Sequence, residues 1–453
     1  MRPITAVLLG AGGRGRFAYG AFAEQFPREL AFVAVADPDK ERREWFASRH
    51  GITAESAFEG WEDVLEREKM ADIAVICTQD RMHFAPTMKA LQNGYHVLLE
   101  KPMSPLPEEC VKMEDEARKH DRLLTICHVL RYSPFWQTIK RMLQAGRIGK
   151  PVSLQLNENV GYYHIAHSFV RGQWRNADHS SPMILAKSCH DLDLIGWLME
   201  QPCVRVSSYG SLSHFRREHM PEGAAERCTD GCAAEERCPY SSLKIYLRPE
   251  GEEWARFITQ DLSRDGIVQA LESGPFGRCV YRCDNNVVDH QAVNMEFADG
   301  ATASFVMSGF THDCTRQVQI MGTHGEIRGV MEENLIRVYD FAANDRQDYT
   351  IIPPGGMHGG GDEELMRSFL REVRSYSGGE SLTSAAASVQ SHLMAFAAER
   401  SRLENGRSID LAAYKAELLY SDRGGERKTL DSLRTNFEMI IRQPDSTPYR
   451  TMS

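Results

Sequence analysis

Short runs of β-branched and apolar residues alternate with amphipathic stretches through the first third of the chain. The runs predict strands at Ile4 to Leu9, Phe32 to Ala36, Ile73 to Cys77, His96 to Leu99 and Leu123 to Cys127. The stretches between and after them predict helices at Arg14 to Gln25, Lys40 to Arg49, Pro86 to Asn93, Pro107 to His120 and Pro134 to Ala145. Strands buried on both faces read as continuous apolar runs, and strand–helix alternation winds into an α/β layer with a parallel sheet.

At Gly149-Lys150-Pro151 the texture changes. Longer alternating segments, Val280 to Val288, Ala292 to Phe297, Thr302 to Met307 and Gln317 to Met321, predict a mainly antiparallel sheet. Helices are expected at Ile184 to Met199, Glu363 to Ser375 and Ser384 to Leu403. The division adopted is a first domain at 1–130, a second α/β domain at 131–420 with a cysteine-rich insertion near 205–245, and a polar tail at 421–453.

Composition narrows the class. The 453 residues are 42% hydrophobic and 26% charged, as in globular proteins, and carry a formal charge of -10. An acidic chain gains nothing from counterion release on a polyanion, so neither nucleic acid nor a membrane surface is expected as a partner. No apolar run approaches the roughly 18 residues of a membrane-spanning helix. The run Ile4 to Leu9 breaks at Gly10, too soon for a secretory signal core, and several of the eleven cysteines sit in apolar segments as reduced thiols would. A cytoplasmic location is expected.

The first strand runs directly into Gly10-Ala11-Gly12-Gly13-Arg14-Gly15, a G-x-G-x-x-G turn that opens a helix. Glycines there allow the tight turn and let backbone N–H groups meet a pyrophosphate at the helix N-terminus. Asp37 ends the second strand, where an acid accepts hydrogen bonds from ribose hydroxyls and repels a 2′-phosphate. The expectation is a Rossmann doubly wound domain binding NAD; Lys40, Arg42 and Arg43 nearby keep NADP open.

With Gly94-Tyr95-His96-Val97-Leu98-Leu99-Glu100-Lys101-Pro102, and His190 followed by Asp193, the chain resembles the glucose-fructose oxidoreductase, inositol dehydrogenase and rhizopine-catabolism (Gfo/Idh/MocA) family. The resemblance runs up to the polar tail. It implies a Rossmann domain, a second domain with an open antiparallel sheet, a cofactor between them, and a dimer or tetramer. Thr78, His83, Glu100 and Lys101 join Gly10, Gly12, Gly13, Arg14, Gly15 and Asp37 as expected cofactor contacts. Lys101, at a strand's C-terminal end, suits stabilisation of an alkoxide as hydride leaves, and the resemblance makes His190 the base. Asp193 is placed to orient that histidine.

One departure stands out: where many family members carry an aspartate four residues before this histidine, the chain has Ala186, with Lys187 beside it. Arg131, Tyr132, His164, His167, Arg171, Trp174, Lys187 and Asp193 are the expected substrate contacts, since hydroxyls need polar partners and a sugar's C–H face packs on rings. The expected activity is hydride transfer from a secondary hydroxyl of a sugar, glycoside or cyclitol. The alternatives are transient oxidation by tightly held NAD during cleavage or elimination, and a dinucleotide-binding protein without turnover. Cys228, Cys232, Cys238 and His214 match a closed structural zinc site; free thiols or a disulfide are the alternatives.

Overall fold

The computed structural model describes residues 2–421, apart from 354 and 356, so the expected tail lies outside the described residues save for Ser421. The first sheet is built from β1 (Ile4–Leu9), β2 (Leu30–Ala36), β3 (Ala57–Phe58), β4 (Ile73–Ile76), β5 (His96–Leu99) and β6 (Leu124–Ile126). All neighbours are parallel and the order is β3-β2-β1-β4-β5-β6. That order reverses between β1 and β4, the switch point where open α/β sheets bind ligands beyond the strands' carboxyl ends. The two-residue edge strand β3 was not expected, because two residues carry no periodicity.

The second sheet holds β7 (Pro151–Asn159), β8 (Cys203–Ser211), β9 (His290–Phe297), β10 (Thr302–Ser308), β11 (Thr315–Gly322), β12 (Gly325–Val330), β13 (Leu335–Asp340), β14 (Asp345–Thr350) and β15 (Ile409–Asp410). Their order is β14-β13-β12-β11-β7-β10-β9-β8-β15, antiparallel except for the β7/β10 pair. One face is buried: Leu154, Leu156, Val293, Met295, Phe305, Met307, Val318 and Ile320 alternate inward. Helix Ala385–Leu403 packs on β8, on helix Cys189–Met199 and on helix Pro107–Lys119 of the first layer, so one apolar core runs through both sheets.

Two expected elements change. The predicted helix Ile184 to Met199 is two helices, Met183–Ala186 and Cys189–Met199, separated at Lys187 and Ser188. The predicted strand Val280 to Val288 is a single turn at Val280–Arg282 followed by irregular chain. Its apolar residues are buried in the long β8–β9 connection instead of in a ladder, so alternation there records packing of a loop. Among the described residues no helix is long and apolar enough to cross a membrane.

Candidate active site

The glycine loop splits into two roles. A Cβ on Gly10, whose φ is +96°, would lie 2.5 Å from the Cys77 carbonyl oxygen, and one on Gly15 would lie 2.4 Å from that of Gly10. These glycines let the loop close on the sheet. A Cβ on Gly12 would meet nothing within 4 Å, which leaves that side of the loop open for a pyrophosphate. The Asp37 carboxylate accepts from the Ala11 N–H at 2.7 Å and from the Asp39 N–H at 2.9 Å, fixing it beside the loop. Of the basic residues behind it, Lys40 pairs with Glu44, Arg42 with Asp39, and Arg43 donates to the Asp37 carbonyl at 2.6 Å. Lys40 and Arg42 thus each have an acidic neighbour, and Arg43 is turned onto the backbone.

Arg14 spans the site. Its Nε donates to Glu100 Oε1 at 2.6 Å and its Nη2 pairs with Asp362. Glu100 also accepts from the Tyr19 hydroxyl at 2.6 Å. Burial pushes Glu100 up, yet the Arg14 charge and the Tyr19 hydroxyl hold it below the usual carboxylate range. Thr78 and His83 shape the next turn: the His83 ring lies between the Thr78 carbonyl at 3.1 Å and the Pro102 carbonyl at 2.7 Å. The Lys101–Pro102 peptide is cis.

The Lys101 ammonium donates to the Ala186 carbonyl at 2.9 Å, across the two domains. His190, at the start of helix Cys189–Met199, is buried, and its Nδ1 has no hydrogen-bond partner among the described residues. The His128 ring lies 5.7 Å from it and the His358 ring 6.1 Å. Burial first, then the charges of Lys101, His128, His358 and Arg316, push His190 well below the usual imidazole value, and the helix N-terminus acts in the same sense. A neutral imidazole with a free nitrogen is a base in waiting. Asp193, expected to orient it, faces Arg131 in a two-pronged ion pair of 2.6 and 2.7 Å; its nearest approach to a histidine is 3.8 Å, to His128.

Lys187 belongs to a chain of charges on the buried end of the second sheet. Its ammonium pairs with Glu158 Oε1 at 2.9 Å; Arg316 reaches Glu158 Oε2 at 2.7 Å and Asp191 Oδ1 at 2.8 Å. Burial pushes the Asp191 carboxyl up against the pull of Arg316. His164 stands on the same side, its ring 4.9 Å from Trp254; burial, then Lys187, His167, Arg316 and Lys101, push it well below the imidazole range.

Other expected substrate contacts are engaged elsewhere. Tyr132 is buried on Thr383, 3.1 Å away. His167 bonds the Tyr246 hydroxyl at 2.7 Å and stacks on Phe276 at 4.6 Å. Trp174 points its Nε1 at Asp80. Arg171 is fully buried and donates at 2.7 Å to the carbonyls of Arg278 and Tyr240. It faces the cysteine region, where Cys228, Cys232, Cys238 and Cys279 line a cavity of about 20 Å³. The expected zinc set does not assemble: His214 bonds the Tyr281 hydroxyl at 3.1 Å, every cysteine is free, and among the described residues no group of three or more ligands could hold a metal ion.

The sequence reading missed His128, Glu158, Asp191, Arg316 and Trp254. For two of them a signal was present: Glu158 follows Leu154 and Leu156, and Arg316 precedes Val318 and Ile320, so each puts a charge on the inward phase of an alternating strand. His128 directly follows the run Leu123 to Cys127, at a carboxyl end of the parallel sheet.

Comparison with known proteins identifies the family of both domains. A model described as "Oxidoreductase family, NAD-binding Rossmann fold" (GFO_IDH_MocA) matches residues 4–128, and one described as "Oxidoreductase family, C-terminal alpha/beta domain" matches residues 140–407. YteT of Bacillus subtilis (strain 168), whose name calls it an oxidoreductase, is 26% identical over 68% of this chain and 74% of its own. The scyllo-inositol 2-dehydrogenase (NAD(+)) of the same organism is 27% identical over 46% of this chain and 58% of its own. A levoglucosan dehydrogenase in complex with NADH and levoglucosan shares the fold at TM-score 0.68 and 15% identity, over 90% of this chain and all of its own. An Agrobacterium radiobacter oxidoreductase in complex with NAD+, L-tartaric acid and magnesium does so at 0.65 and 16%, over 91% and 99%.

Proposed function

The chain belongs to the Gfo/Idh/MocA oxidoreductase family, and we propose that it is an NAD-dependent dehydrogenase acting on a secondary hydroxyl of a sugar, glycoside or cyclitol. The single observation that carries this reading is the convergence of Lys101 and the unpartnered His190 at the carboxyl edge of the parallel sheet, beyond the open side of Gly12. When bound, nicotinamide supplies the hydride acceptor. His190 takes the hydroxyl proton on a ring nitrogen, and Lys101 opposes the charge that develops on the substrate oxygen. The open face of Gly12 receives the pyrophosphate, and Asp37, held beside the loop by the Ala11 N–H, favours NAD over NADP. The names of the inositol and levoglucosan dehydrogenases support a polyol or sugar substrate.

A second reading, transient oxidation by retained NAD within an overall non-redox cleavage, is favoured by Phe257. This ring from the β8–β9 connection packs 3.6 Å from the Cβ position of Gly13 and covers part of the dinucleotide loop. We also propose a homo-oligomer assembled through the outer face of the second sheet, where Val152, Tyr209 and Val306 are exposed. The deciding experiment follows reduced-nicotinamide absorbance while the protein and NAD meet a panel of sugars, glycosides and inositols. Turnover that is absent from Lys101→Met and His190→Ala supports the dehydrogenase. Consumption of a glycoside with no net absorbance change supports the second reading, and a failure of both arms sinks the two together.

A further inference from the structure

We infer that the substrate is an acidic sugar, a uronate, an aldonate or a glycoside of one, whose carboxylate is held by Lys187 while its reacting oxygen faces Lys101. This rests on the reading of the same site given above and narrows its substrate class.

Three cations stand along one wall. Lys101 reaches the Ala186 carbonyl, Lys187 is the next residue, and Lys187 and Arg316 share Glu158. The carboxylates among them are occupied or turned away. Glu158 spends one oxygen on each cation, and Asp191 is bonded to Arg316. Glu332 accepts the Arg316 backbone N–H, and its charge adds to those of Asp191 and Glu158 on the Arg316 guanidinium. Farther out, Glu100 and Asp362 are tied to Arg14, and Asp193 to Arg131. Lys101 has no carboxylate partner among the described residues.

Exposure sorts the signs. Glu158 and Asp191 are 2% and 0% exposed at the side chain, whereas Lys187 keeps 17%. An entering ligand therefore meets ammonium before carboxylate. The same sign is felt by the imidazoles: after burial, the charges that push His190 and His164 down are cationic, Lys101 and Arg316 on both and Lys187 on His164.

The wall is also short of partners. Ser188 Oγ, His190 Nδ1, Asp191 Oδ2 and both nitrogens of His128 are buried without a hydrogen bond among the described residues. Buried polar atoms are nearly always satisfied, so the Ser188 hydroxyl and the imidazole nitrogens mark the place of a polar ligand, and the three cations beside them supply the preference for an anionic one. A neutral polyol would satisfy the orphaned atoms, whereas a carboxylate would also give the Lys187 ammonium, which shares Glu158 with Arg316, a partner of its own.

The test compares pairs that differ only at one carbon, galacturonate with galactose and glucuronate with glucose, free and as methyl glycosides, using the full chain with NAD. The expected result is a preference in kcat/KM of at least about tenfold for the acid, one charge-assisted contact's worth, that collapses toward unity in Lys187→Met and returns in Lys187→Arg. Cofactor binding, followed by protein fluorescence, checks that the variants fold. Equal or better turnover of the neutral partner overturns the inference and leaves the dehydrogenase standing. Where neither is turned over, calorimetric titration into the NADH-loaded protein decides. Acid-selective binding lost in Lys187→Met supports the inference while the dehydrogenase reading fails, and binding without selectivity, or none, overturns it.

Discussion

Lys101 and Ala186 belong to different layers of the molecule, yet the Lys101 ammonium donates to the Ala186 carbonyl at 2.9 Å. One hydrogen bond thus holds the cation over the seam, four residues before His190. Lys101→Met removes the charge and keeps much of the stem. We expect kcat to fall by about 10²–10⁴-fold, within the range that one acid–base or electrostatic group supplies. NAD affinity should persist, because the glycine loop is untouched. Steady-state kinetics beside a cofactor titration read both, and a wild-type kcat in this variant would remove Lys101 from the chemistry.

As the proposed base, His190 is expected to set the acid limit of the reaction. A base must be neutral to accept a proton, so activity is lost as pH falls through its folded pKa. Burial and the surrounding cations lower that pKa well below the usual value of 6.5. The acid limb of kcat/KM is therefore expected on the acid side of 6.5, and a limb centred at or above it contradicts the role assigned to His190.

Gly12 and Gly15 should fail in opposite ways. Gly15→Ala places a methyl 2.4 Å from a backbone oxygen and costs stability, by about 1–3 kcal/mol for overpacking. Gly12→Ala meets nothing within 4 Å, so its melting temperature should match the parent while NAD affinity drops by at least about tenfold, as a side chain enters the pyrophosphate's space. Thermal melts and cofactor titrations separate the two. Equal melting losses in both would discard this division of labour.

Acid should weaken the fold through buried histidines. Burial pushes His167 and His392 down to about 3, while the unfolded chain takes up the proton near 6.5. Between those values the unfolded state binds more protons, so stability declines as pH drops below about 6.5 and this loss ends near pH 3. Melting temperature measured from pH 7 to 4 should fall steadily, and less so in His167→Gln.

Arg171 is expected to matter for stability, not turnover. Its buried guanidinium holds two carbonyls of the cysteine region, and Arg171→Met should cost about 2–4 kcal/mol by stranding them. A chelator should leave the melting curve where it is, since no metal set assembles there. A chelator-induced drop would show that a metal ion is held there after all.

The parallel sheet was legible because each buried strand is a continuous apolar run and the G-x-G-x-x-G turn has few other uses between strand and helix. Lys101 and His190 were found through motif context. The Lys187–Glu158–Arg316–Asp191 chain was not, because its members come from two strands, a helix and a linker that only tertiary packing brings together. Arg171 and His167 misled for a related reason: a polar, aromatic segment predicts hydrogen bonding but not whether the partner is a ligand or the protein's own loop. Val280 to Val288 alternated like a strand because apolar side chains in a long connection were buried one by one.

Phe257 gives the β8–β9 connection a reach beyond its own sheet. Phe257 is half exposed, and its ring edge lies 3.6 Å from the Cβ position of Gly13, so a segment anchored in the second domain approaches the glycine turn. A substitution in this connection can therefore reach the surroundings of the glycine turn without touching the nucleotide motif itself.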